Sequence, residues 1–166
     1  MGDSGIESAF KFVAFKVHDL RLSMKPPVDI ARPVGPEDVW QLKIGVRVPQ
    51  YLAVRKVYIA GLNLQLALFS PELLKDQPEL ANDDAILFVE ASCSGAFSVA
   101  EGQFSREIED KLVKIQAPAL LLPYVRATIL SLLANAGFGS AMLPLINMNE
   151  LAKMALEGTE IEIIDA

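Results

Sequence analysis

The chain has 166 residues, a length that suits one domain built round one core. Hydrophobic residues make up 52% and charged residues 22%, which excludes wholesale disorder. A net charge of −6 argues against nucleic acid or an anionic membrane surface as a partner, since both require clustered Lys and Arg.

So much apolar sequence in a small chain predicts a subunit interface, an apolar binding surface, or both. Cys93 is the only cysteine, so no intrachain disulfide is expected, and its strand-like neighbours predict a buried, inert thiol. The opening MGDSGIES has no basic region leading into an apolar one, and Ile6 stands where a myristoylation pattern needs Ser or Thr. A cytoplasmic location is the expectation.

A first strand is predicted from about Ser8 to Met24. Its first half carries Phe10, Phe12, Val13, Phe15 and Val17. Its second half alternates, with Leu20, Leu22 and Met24 opposite Asp19, Arg21 and Ser23. The change of phase near Lys16–His18 predicts a bulge or a change of partner. Pro26, Pro27, Pro33, Gly35 and Pro36 mark a loop. A second strand places Leu42, Ile44, Val46 and Val48 inward, with Pro49 interrupting or edging it. A third, from about Arg55 to Phe69, carries Tyr58, Ala60, Leu62, Leu64, Leu66 and Leu68 on one face. Ser70 to Asp84 reads as a polar hairpin loop. A fourth strand, about Ala85 to Phe97, sets Leu87, Val89, Ala91, Cys93 and Phe97 against Phe88, Glu90, Ser92 and Ser94.

Helices follow. Ser105 is a predicted N-cap, with Ile108, Leu112 and Ile115 as a stripe and Pro118 as the end of that helix. A second helix is expected from about Leu121 to Ala136, stopped by Gly137. Asn147 is placed to cap a last helix, with Glu150 at capping-box spacing. Thr159 to Asp165 reads as a short strand or a tail. The uncharged stretch between Arg126 and Glu150 is long enough to cross a bilayer, but Asn135, Gly137, Gly139 and Pro144 break it, and no integral membrane segment is predicted. Strands followed by helices predict an α+β fold: a four-stranded antiparallel sheet with C-terminal helices on one face, as one domain over 1–166 with its core at about 8–157.

Enzyme motifs are scarce. His18 is the only histidine and has no second His or nearby Cys with which to build a metal site. Gly137-Phe138-Gly139 lacks the further Gly and Lys of a phosphate loop. No enzyme, metal or cofactor is expected.

The run Ala117-Pro118-Ala119-Leu120-Leu121-Leu122-Pro123-Tyr124-Val125-Arg126 resembles the SecB protein-export chaperone family, whose pattern there is a Cys-Pro step, apolar residues, then Pro-Tyr-Ala-Arg. Ala117 stands for the Cys and Val125 for the Ala. Gly137-Phe138 and Leu143-Pro144-Leu145-Ile146-Asn147-Met148 are similar to the family's Gly-Phe turn and Leu-x-Pro-Val-Asn-Phe segment. Gly95-Ala96-Phe97, Trp40 and His18-Asp19-Leu20 resemble its Gly-Ile-Phe, its Trp before the second strand and its Lys-Asp-Ile.

The resemblance implies an ATP-independent chaperone assembled as a homotetramer, a dimer of dimers. Such a protein holds unfolded preproteins in an apolar groove and passes them to the SecA motor. It implies docking of SecA on Asp19, Phe88 and Glu90; Ser23 stands where the family has a second acidic residue. It implies a client groove drawn from Trp40, Leu42, Phe97, Leu120, Leu121, Tyr124, Phe138, Met142 and Leu143. Two other readings stand beside it: a SecB-like chaperone dedicated to a toxin–antitoxin pair, and a carrier of hydrophobic small molecules.

Overall fold

The computed structural model describes residues 8–25, 37–76, 82–139, 141 and 143–165. The proline-rich loop and Met142 fall outside the described residues.

Strands β1 (Phe10–Met24), β2 (Val39–Leu52), β3 (Val57–Phe69) and β4 (Leu87–Val99) pair antiparallel in the order β1-β4-β3-β2. Their alternation decides the faces, because directly opposed residues in an antiparallel pair share a side of the sheet. Leu66 of β3 lies between Leu42 of β2 and Val89 of β4, and Leu22 of β1 continues the row. These rows form the inner face, where Leu62, Leu64, Leu66, Leu87 and Val89 are 0–1% exposed. Burying each such side chain contributes about 1.5–3 kcal/mol relative to leaving it in water.

The phase change foreseen in β1 is present as register shifts at Phe12/Ala14 and Val17/Asp19. A third shift, at Arg47/Gln50, takes Val48 and Pro49 out of the β2 ladder. Pro49 has no N–H to give a ladder, so a bulge accommodates it inside the strand.

The expected sheet of four antiparallel strands is corrected in one respect. The tail adds a fifth strand, β5 (Glu162–Ile164), parallel to β2, so the sheet is mixed. Gln50, Tyr51 and Leu52 pair with Glu162, Ile163 and Ile164, and the Ala53 N–H donates to the Ile164 carbonyl at 3.0 Å. Lys114 anchors the approach to β5: its Nζ donates to the Thr159 carbonyl at 2.6 Å and pairs with Asp110 at 2.9 Å. The polar connector after β3 also differs from the expected loop. It contains a short helix, α1 (Pro71–Asp76), and a 3-10 turn at Asn82–Asp84. Pro71 sits in the first turn, where its fixed φ suits a helix and its missing N–H costs nothing.

The predicted helix end at Pro118 does not occur. Helix α2 (Arg106–Lys111) passes through a π turn at Leu112–Gln116 into α3 (Ala117–Asn135), making one helical rod. In the π turn the Ala117 N–H reaches back to the Leu112 carbonyl. That wider loop gives the ring of Pro118 room beside the preceding turn, where a plain α-helix would clash. Ser105 caps the start as expected, accepting from the Ile108 N–H at 3.4 Å. By length and composition the rod could cross a membrane. Here it lies on the sheet, with Ala117, Pro118, Leu121, Leu122, Val125, Ile129 and Leu133 buried. Gly137 follows with φ +96°, the left-handed turn expected beyond a helix end. Asn147 caps α4 (Met148–Leu156), accepting from the Glu150 N–H at 3.3 Å.

Where the tail, β3 and α2 meet, the Tyr58 hydroxyl donates to Glu109. Burial, then the bond to Glu109 and its charge, raise the Tyr58 pKa above the ordinary tyrosine value. The folded chain therefore keeps this proton at a pH where the unfolded chain has lost it. Stability from this group is complete below the unfolded tyrosine value of about 10 and falls as pH rises beyond it. Urea melts taken between about pH 8 and pH 11 should show a shallower alkaline decline for Tyr58→Phe than for the wild type. Equal slopes would remove Tyr58 as the cause.

Candidate client groove

The rod does not cover the whole inner face. Leu121, Ile129 and Leu133 sit over the centre of the sheet at 0% exposure. Gly95 of β4 permits this approach. A Cβ there would overlap Leu121 Cδ2 and come within 3.0 Å of the rings of Phe12 and Phe97.

β1 lies at the end of the strand order, beyond this cover. Its inner face begins with an aromatic group: Phe10 stacks on Phe97 at 5.4 Å, and Phe12 lies 5.1 Å from Phe97. Tyr124 of α3 reaches over to Phe12 at 5.0 Å and to Phe15 at 5.4 Å. Past that point, Val17, Leu20 and Met24 continue the same face, opposite Cys93, Ala91 and Leu87, yet are 38–43% exposed. On the rod, Tyr124, 47% exposed, meets this row at its Phe12 and Phe15 end, and Leu120, one turn earlier, is 44% exposed. The result is an apolar shelf: the inner face of an edge strand as floor, one side of α3 as wall. An extended chain laid there can bury apolar side chains and reach with its backbone the edge of β1 that no strand pairs among the described residues.

The sequence-derived groove residues divide three ways. Leu120 and Tyr124 stand on the shelf. Phe97, Leu121 and Leu143 lie in the core at 0–6% exposure. Trp40, Leu42 and Phe138 are half-buried against the same core, with Trp40 and Leu42 on β2, the opposite side of the sheet from β1. Met142 is outside the described residues. Phe12, Phe15, Val17, Leu20 and Met24 were read from the sequence only as strand residues. Their one signal was a strand face more apolar than an edge position needs.

Asp19, Phe88 and Glu90 do share the outer face. Arg21 and Ser23 of β1 lie opposite Glu90 and Phe88 in the ladder, and Asp19 lies opposite Ser92. Asp19 pairs with Arg21 at 2.8 Å, Glu90 accepts from Gln65 at 3.0 Å, and Phe88 packs on Ala67, Phe69 and Ala85. Among outward strand positions, Lys11, Lys16, Arg21, Lys43 and Arg47 outnumber Asp19, Glu90 and Glu162. These described strand positions thus carry more bases than acids in a chain that is net acidic. Cys93 is buried on the inner face, and burial pushes its thiol pKa up, so the thiol stays protonated. Among the described residues, no group of His, Cys, Asp and Glu is placed to hold a metal ion.

The family model of the preprotein translocase subunit SecB matches residues 73–157, just over half of the chain. The chain belongs to the SecB family. Among solved structures, this SecB-family chain is similar to the SecB-like chaperone Rv1957 of Mycobacterium tuberculosis, which is in complex with a ChAD peptide from the Rv1956 HigA1 antitoxin. The TM-score is 0.57 at 11% identity, over 82% of this chain and 90% of that one, which establishes a shared fold. No curated protein matches the chain significantly.

Proposed function

We propose that this SecB-family chain is a passive holdase, which binds unfolded preproteins along the β1–α3 shelf without nucleotide and hands them to SecA. The observation that carries the reading is the row Val17, Leu20 and Met24, left exposed on the face that elsewhere forms the core. Burial of client apolar surface drives binding at about 25 cal/mol per Å², offset by the ordering of the client. Selectivity needs no sequence code, because native proteins do not present extended apolar segments. Leu120 and Tyr124 are the groove residues that face the client; Trp40, Leu42 and Phe138 support the fold around it. SecA meets the outer face through Asp19, Phe88 and Glu90, and the protein acts in the cytoplasm.

The chain works as a homotetramer, a dimer of dimers, which presents several shelves to one client and raises avidity. Light scattering should read about four times the 18.1 kDa chain mass. A monomer at every concentration would remove the tetramer.

A second reading is a chaperone dedicated to one antitoxin. Two observations favour it: Ser23 in place of an acid, and the excess of Lys and Arg at the described outward strand positions, which weakens an acidic docking surface for SecA. The fold it shares with Rv1957, which binds an antitoxin peptide, is compatible with it. One experiment separates the two. Unfolded model clients are diluted into the protein without nucleotide, and aggregation is followed by scattering. Suppression with several unrelated clients supports the general holdase. No protection with any of them rejects it and leaves the dedicated reading.

A further inference from the structure

On the outer face, two bulges turn side chains toward one point. The register shift at Val17/Asp19 sets His18 outside the ladder, and the shift at Arg47/Gln50 releases the strand just after Arg47. Both side chains meet over Ser94, which is 8% exposed. Arg47 Nη2 donates to the Ser94 hydroxyl at 2.6 Å and to the Cys93 carbonyl at 2.6 Å, while His18 Nε2 lies 2.7 Å from the same hydroxyl. Gly61 makes the seat. A Cβ there would overlap Arg47 Nε, Nη2 and Cζ, so the guanidinium lies flat on bare backbone. A pocket of about 420 Å³ opens here, lined also by Gln50, Ile59 and Val48.

Among the described residues, no acid lines this pocket. Arg47 has no carboxylate partner among the described residues, and its Nε is buried with no acceptor. Glu162, nearby on β5, is engaged by the Gln50 amide at 2.9 Å. The planar fork of a guanidinium matches the paired oxygens of a carboxylate or phosphate. The register places Lys16 opposite Ser94 on the same face, which adds a further positive charge to this part of the sheet. We infer that this pocket is an oxyanion site, taking one carboxylate or phosphate group against Arg47, with His18 and Ser94 beside it. The site lies on the face opposite the shelf and does not depend on the chaperone reading.

His18 is the chain's only histidine, so its ring resonances report on the pocket alone. They are followed by NMR at constant ionic strength while inorganic phosphate is added. The same titration is run with a short peptide bearing a free C-terminal carboxylate, and with its amidated form. The expected result is a saturating shift in wild type. It should weaken about tenfold or more in Arg47→Gln and in Gly61→Ala, which keeps the charge but displaces the guanidinium from its seat. Gly61→Ala guards against a folding failure of Arg47→Gln, since the clashing atoms are the mobile end of a side chain. Saturation by the free-carboxylate peptide but not the amide assigns the site to a protein carboxylate; saturation by phosphate alone assigns it to a free phosphate. Shifts that stay linear with every anion, or saturation unchanged in both variants, would overturn the site.

Discussion

Leu121→Ala should cost this chain about 2–5 kcal/mol, toward the upper end, while Leu120→Ala one residue earlier should stay within about 0.5 kcal/mol. Leu121 is fully buried over Gly95, whose bare Cα also faces the rings of Phe12 and Phe97, whereas Leu120 is 44% exposed. The cavity left by Leu121→Ala has a glycine as its floor, so nothing below can rise to fill it. With total stability usually about 5–15 kcal/mol, such a loss brings the variant near unfolding at ordinary temperature. Urea melts of both variants check this. A third variant tests the cause: with Leu121 already shortened, Gly95→Ala returns volume to the gap, so the pair should lose less than the sum of its single changes. Strict additivity would show that Gly95 does not shape this contact.

The pair Leu120→Asp with Tyr124→Asp should leave the fold in place and abolish holdase activity. Both residues are nearly half exposed, and neither lies in the buried stripe of α3. The stability cost comes mainly from the lost Tyr124 contacts with Phe12 and Phe15, at about 0.5–1.5 kcal/mol per aromatic pair, with a few tenths from like charges one turn apart. The cost to binding is larger. A client segment on the shelf would have to strip water from two carboxylates that have no partner there. Client affinity should fall at least about tenfold, equivalent to about 1.4 kcal/mol, with circular dichroism and mass unchanged. A folded variant that protects clients as well as the wild type places the client elsewhere. The half-buried side of β2, around Trp40 and Leu42, is then the next surface to test.

The alternation of β3 and β4 gave the inner face directly, because a two-residue period with apolar side chains at every second position has only one way to bury them. The β1 bulge was visible for the same reason, as a break in that period. The cap at Asn147 and the stop at Gly137 are local chemistry and were legible at once. Pro118 was misread because proline is a strong local signal for a helix end. The π turn that carries the rod through it depends on the sheet beneath, against which Ala117 and Pro118 are buried. The fifth strand was undetermined for a related reason. Residues 162–164 alternate too briefly to declare a strand, and only the edge of β2 after its bulge, with Lys114 holding Thr159, supplies the pairing.

The candidate site follows the same division. Composition and residue order determined that this chain has more apolar surface than its own core consumes, that a sheet precedes its helices, and that its helical motifs resemble those of SecB. They could not say which apolar residues are core and which are open to a client, since Leu120 and Leu121 are identical side chains in adjacent positions. That was decided by where the rod crosses the sheet, which the missing Cβ of Gly95 and the stripe from Leu121 to Leu133 fix over β3 and β4. A single helix is about 10 Å wide, and adjacent strands are about 4.8 Å apart, so the rod covers two strands and leaves Val17, Leu20 and Met24 on the inner face of β1 exposed.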